Sequence, residues 1–200
     1  METKPKERVV PASAVQGYLD EMEGWTQRDI DAVNEGAVQA QRELMAFVSH
    51  NAIKAGPARR SQTMTILVLV IGMFEKHFGS KCRPISDDDI TKHLDRGDPE
   101  YFAWCRSDRK KPFEYKQPFL MSFVMQTVFQ DPTLGANDAN LLTFLLKNAV
   151  DMLDAAPSPT VKRGIMIPLT ADLLRYLARY PFHNHSSASG SVWRFTAPSV

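Results

Sequence analysis

Cations that alternate with aromatic rings are the residues of this chain whose types and spacing point most directly to chemistry. In CRSDRKKPFEYK, Arg106, Arg109, Lys110, Lys111 and Lys116 are interleaved with Phe113 and Tyr115. In LLRYLARY, Arg175 and Arg179 are four apart, as are Tyr176 and Tyr180, so each pair shares one side of a helix. Lys162 and Arg163 precede that stretch. Cations neutralise phosphates and rings stack on unpaired bases, the combination that lines single-stranded nucleic-acid grooves. The expected nucleic-acid contacts are therefore Arg106, Arg109, Lys110, Lys111, Tyr115, Lys116, Lys162, Arg163, Arg175 and Arg179. A solvated loop and a solvated helix face have the same composition. A formal charge of +1 also falls well short of the basic balance of a stand-alone binder.

Other chemistry has weaker support. Neither phosphate-cradling glycine pattern occurs, and G-x-S-x-G and H-E-x-x-H are missing. Asp87, Asp88 and Asp89 are consecutive, so on a helix they point in different directions; capping and the helix dipole explain them better than a metal. The histidines are scattered, and only His183 and His185 are close-set, in a polar tail that supplies no third ligand. Cys105 beside Trp104 has no evident base to activate it, which makes it a small buried hydrophobe. A dispersed enzyme site drawn from Glu75, His77, His93 and Cys105 has nothing in its spacing to recommend it. No cofactor and no metal are expected.

Near-neutrality conceals a polarised chain. Residues 17–35 hold six acids against Arg28 alone, a net −5, whereas residues 156–200 hold five cations against Asp172, a net +4. Residues 1–12 are charged and proline-bearing with little to bury, and residues 183–200 are Ser-, Asn- and Gly-bearing except for Trp193, Arg194 and Phe195. Both ends read as arms, with Trp193 and Phe195 the expected oligomerisation contacts. An acidic face, a basic face and two exchangeable arms suit a head-to-tail assembly; two fraying ends would leave the same signature.

The elements that must carry these residues are helices. With 44% apolar and 24% charged residues the composition is globular, which excludes disorder throughout. Ser13–Glu23 reads as a short helix. Thr26 and Asp29 form a capping box, flanked by Trp25 and Ile30 as a hydrophobic staple, and Ser86, Asp89, Ile85 and Ile90 repeat the pattern. From Ile30 through Val33, Ala37, Ala40 and Leu44 to Phe47 one narrow apolar stripe predicts a continuous helix. Gly56-Pro57 breaks the chain, and an element from about Ala58 to His77 follows whose centre, Ile66–Phe74, is apolar all round; its β-branched content also suits a strand, and its length and helical neighbours favour helix. Asp98-Pro99 and Pro118 open two further helices, residues 137–155 make another, and Thr170 caps a last one.

The expected fold is thus all-α, a single-domain bundle of about seven or eight helices at residues 13–180, with arms at 1–12 and 181–200. The longest apolar run, Met64–Phe74, is short of the roughly 20 residues that cross a bilayer. No signal peptide is evident, and two cysteines without zinc-ligand spacing fit a reducing, cytoplasmic setting with no membrane partner. The expected function is a non-enzymatic assembly protein, a coat- or nucleocapsid-type subunit that polymerises and binds single-stranded RNA. The alternatives are a helical interaction or regulatory module with a Met-rich groove around Met121 and Met125, and the dispersed enzyme.

Overall fold

The computed structural model describes residues 9–79, 82–106 and 113–156. Among these are eight α-helices and no strand: α1 Ala12–Met22, α2 Gln27–Ala40, α3 Arg42–Ala52, α4 Pro57–Phe78, α5 Asp87–Arg96, α6 Pro99–Arg106, α7 Pro118–Phe129 and α8 Ala136–Ala155. A short 3-10 turn, Ile53–Ala55, links α3 to α4. The chain clusters into two units, residues 1–158 and 159–200, and the second lies outside the described residues. The helix expected after Thr170 and the arm at 181–200 fall there.

The starts read from sequence are built as capping chemistry dictates. At α2 the Thr26 hydroxyl accepts from Asp29 N–H while the Asp29 carboxylate accepts from Thr26 N–H at 2.8 Å. Ser86 and Asp89 repeat this at α5, with 3.0 Å for the Ser86 N–H. Each box satisfies two of the backbone donors that a helix start leaves without partners. Asp98 caps α6 by accepting the Tyr101 N–H at 2.8 Å.

The long stripe from Ile30 to Phe47 is not one helix. It breaks at Gln41, whose φ of −135° and ψ of 47° separate α2 from α3. The cause is remote. Gln41 is fully buried, donating through Nε2 to the Arg83 carbonyl at 3.0 Å and accepting the Ile85 N–H at 3.1 Å. Leaving the helix lets this one amide satisfy both backbone groups of the incoming segment, which would otherwise be buried without partners.

Residues 64–74 are helical, within α4. Pro57 occupies its first turn, where no N–H is needed, and Gly79 ends it at φ 66°, a left-handed conformation that glycine adopts without penalty. Helices α1, α2, α3, α7 and α8 all pack against α4, which explains why Ile66, Leu67, Val68, Val70, Ile71, Met73 and Phe74 are all buried. Helix α8 is the second core element, packed on α3, α4, α5 and α7. From Leu145 to Leu153 every residue of α8 is buried, including Lys147, Asn148 and Asp151. Val10, within the stretch read as an arm, is fully buried, and its N–H donates to Gln117 Oε1 at 2.9 Å.

Candidate functional site

Lys147 is the most unusual side chain in the core. Its position on α8 puts it one turn from Asp151, and its ammonium donates to Asp151 Oδ2 at 2.6 Å and to Asp98 Oδ2. Asp98 therefore does two things: Oδ1 caps α6 and Oδ2 binds α8. Only 3% of the Lys147 side chain is exposed. Burial alone pushes the ammonium pKa down, but hydrogen bonds and charge from Asp151 and Asp98 outweigh it, and the pKa is raised. Burial opposes ionisation of Asp98 too; the Lys147 hydrogen bond, the Tyr101 N–H, and the charges of Lys147 and Lys116 win, and its pKa is lowered. A lysine held charged between two carboxylates is a tie and not a nucleophile, since nucleophilic lysines need a depressed pKa.

Rings close over this tie. Lys147 Nζ lies 5.0 Å from the Tyr101 ring centre and 5.7 Å from that of Phe113, within cation–π range. Tyr101 meets Phe113 edge-on at 5.2 Å and Trp104 at 5.8 Å, and Phe113 meets Tyr115 at 4.9 Å. Phe144 of α8 sits 6.0 Å from Tyr101 and 5.7 Å from Phe102. Tyr101 is buried, Trp104, Phe113 and Tyr115 are half-buried, and Phe102 is 44% exposed. The result is an aromatic platform with one open ring, anchored from beneath by Lys147.

The residues expected to touch nucleic acid fall at its margins or outside the described residues. Arg106, the last residue of α6, and Lys116 are exposed, and Tyr115 belongs to the platform. Arg109, Lys110 and Lys111 lie outside the described residues, as do Lys162, Arg163, Arg175, Arg179, Trp193 and Phe195. The structure thus brings the two described ends of the first basic stretch to one set of rings. Sequence reading missed Lys147, although a signal was present: a lone lysine in the apolar run LLTFLLKNAVDML with an aspartate four residues on.

The dispersed enzyme residues are spread over three helices. Glu75 and His77 are near the end of α4, where Glu75 accepts the Cys82 N–H at 3.3 Å and His77 lies edge-on to Phe78. His93 of α5 faces Asn148 of α8, ring nitrogen to amide oxygen at 2.9 Å, and Cys105 is on α6. Among the described residues no group of three His, Cys, Asp or Glu is placed to hold a metal ion, and no helix is long and apolar enough to cross a membrane.

A cleft of about 290 Å³ lies between α1 and α4, lined by Ala14, Gly17, Tyr18, Met73, Lys76 and His77. Tyr18 packs edge-on to Trp25 at 5.5 Å, and its phenol pKa is pushed up to about 12 by burial and by the negative charge of Glu75. The neighbouring Lys76 pairs with Glu21. No family model, no curated protein and no solved structure matches the chain.

Proposed function

We propose that this chain is a non-enzymatic assembly protein, a coat- or nucleocapsid-type subunit that polymerises and binds single-stranded RNA. The observation that carries the reading is the platform: Phe102 presents an open ring, Trp104, Phe113 and Tyr115 are half-buried beside it, and Arg106 and Lys116, close to these rings in sequence, are exposed. Rings of this kind stack on any unpaired base, each worth about 1–3 kcal/mol, and the flanking cations take the phosphates. The acidic residues of the early chain support assembly: Asp20, Glu21, Glu23, Asp29, Asp31 and Glu35 are all exposed. The +4 of residues 156–200 in another copy is the charge complement of these acids. In such a polymer a modest charge per subunit adds up to a continuous groove.

Quenching of tryptophan fluorescence by oligouridylate tests the platform. Phe102→Ala should weaken binding about tenfold or more, and Arg106→Glu with Lys116→Glu should weaken it further while lowering its salt dependence. Equal affinity in all three proteins would remove this reading.

A second reading, a helical interaction module, is favoured by Ile53 and Phe129, which are 51% and 52% exposed. Its Met-rich groove is not at the surface, because Met121 is buried and Met125 half-buried. RNA-independent capture of one discrete protein, lost in Ile53→Asp and Phe129→Asp, would favour it.

A further inference from the structure

The 22-residue helix α4 carries an ion pair at each end. In its first turns Arg59 binds Asp131 and Thr133, just past the end of α7, and in its last turns Lys76 binds Glu21 of α1. Arg59 and Lys76 are 17 residues apart, so about 25 Å of helix separates the two ends. The Arg59 end holds the two most exposed large apolar side chains among the described residues: Phe129, the last residue of α7, is 52% exposed, and Ile53, in the turn that leads into α4, is 51% exposed. The Lys76 end holds the cleft between α1 and α4, where Met73 and His77 stand against Gly17. A Cβ at Gly17 would meet nothing within 4 Å, so this wall of the cleft is open. Its volume, about 290 Å³, is near the lower limit of small-ligand pockets, about 300 Å³, which suits a single ring. Charge differs between the ends as well. Lys54, Arg59 and Arg60 outnumber Asp131 and Asp138 at the first, whereas Asp20, Glu21, Glu23 and Glu75 outnumber Lys76 at the second.

We infer that the α1–α4 cleft of one chain receives Phe129 of a second copy, with Ile53 packed beside it and Lys54 facing Asp20 and Glu23, in a head-to-tail contact. The inference rests on the assembly reading and deepens it by naming the two surfaces that meet. The length of α4 keeps a chain's Phe129 from its own cleft, so the contact forms between copies. Because the two surfaces differ, every dimer leaves one of each free, and growth continues into a ring or a filament. In the cleft Met73 offers its thioether and His77 its ring to the incoming phenyl group. Attraction between the basic and the acidic end fixes the direction of the contact and disfavours pairing of like ends.

Sedimentation equilibrium of the full chain at increasing concentration in low salt, with and without oligouridylate, tests the contact. Gly17→Leu fills the cleft from an exposed helical position and Phe129→Asp removes the ring from another, so both should keep the wild-type circular dichroism. The wild type should form a series of species above the monomer, and each variant alone should need about tenfold or more the concentration to assemble. Mixed, the two variants should give a dimer and nothing larger, since Gly17→Leu retains Phe129 and Phe129→Asp retains the open cleft. Absence of that dimer, or wild-type assembly by both variants, overturns the contact and leaves the assembly reading standing. Loss of assembly in Trp193→Ala/Phe195→Ala with Phe129→Asp unaffected assigns the cleft to that segment and also overturns it. A wild type that stays monomeric at every concentration, with and without oligouridylate, removes the inference and the assembly reading together.

Discussion

Lys147 and Asp98 are 49 positions apart in sequence, and the ion pair between them ties the start of α6 to the middle of α8. With Asp151 as the second carboxylate, the ammonium is satisfied on both sides beneath Tyr101 and Phe113. The tie holds the start of α6, the helix that carries Phe102 and Trp104, against α8.

Lys147→Met should therefore lower stability by about 3 kcal/mol or more, because it strands two carboxylates in a largely dry environment. Lys147→Met combined with Asp98→Asn and Asp151→Leu should recover most of the loss, since burying no charge costs less than burying an unpaired one. Urea midpoints for the three proteins check this, and a single substitution costing under about 1 kcal/mol would show the pair to be peripheral.

The same groups set the pH range of stability. The pKa values of Asp98 and Asp131 are lowered in the folded chain, so their contribution is present above the unfolded value near about 3.9 and is lost as pH falls through the lower folded value. For Asp131 the leading cause is the Thr133 hydroxyl, and burial, which opposes ionisation, is outweighed by the Thr133 N–H and Arg59. Lys147 and Tyr18 are raised, so theirs is present below the unfolded value and is lost as pH rises through the folded one. Stability should be flat between roughly pH 5 and pH 9 and fall on both sides. In a tyrosine absorbance titration Tyr18 should ionise near about 12, and the step should vanish in Tyr18→Phe.

Two glycines in packed helices should respond in opposite directions to alanine. A Cβ at Gly72 would stand 1.9 Å from the Tyr18 hydroxyl oxygen and 2.6 Å from the ring carbon bearing it, so the whole buried ring must move. Gly72→Ala should cost about 1–3 kcal/mol as overpacking. At Gly17 a Cβ meets nothing within 4 Å, and the residue lies inside α1. Gly17→Ala should stabilise by about 0.5–1 kcal/mol by restricting the unfolded chain. Thermal melts of both variants give the signs directly.

Helix starts were legible in the sequence because their chemistry is local: Thr26 with Asp29 and Ser86 with Asp89 lie three residues apart and need no partner elsewhere. The break at Gln41 was not, because its cause is the backbone of Arg83 and Ile85, more than forty residues away. Periodicity runs smoothly from Ile30 to Phe47 across a kink that only tertiary contact explains. The aromatic and basic members of the platform could be read from their alternation, whereas their anchor, Lys147, was hidden among leucines that the same periodicity marks as core.

The two buried glutamines offer a further test. Gln41→Leu removes the partners of the Arg83 carbonyl and the Ile85 N–H, and Gln117→Leu those of the Val10 N–H and Asp154. Each should cost about 2–4 kcal/mol, since a buried polar group without a partner costs about 1–3 kcal/mol and each variant leaves one buried N–H and one half-buried group without theirs. Hydrogen exchange should show added opening at 82–86 in the first variant and at Val10 in the second. Exchange raised evenly over the chain would mean that the glutamines hold no particular segment.

Light scattering on the full chain at low salt, with and without oligouridylate, tests the proposal of a self-assembling subunit that binds single-stranded RNA. The expected mass exceeds the 22.5 kDa of one chain, rises further with RNA and falls back in high salt. A strict 22.5 kDa monomer that RNA does not shift would contradict it.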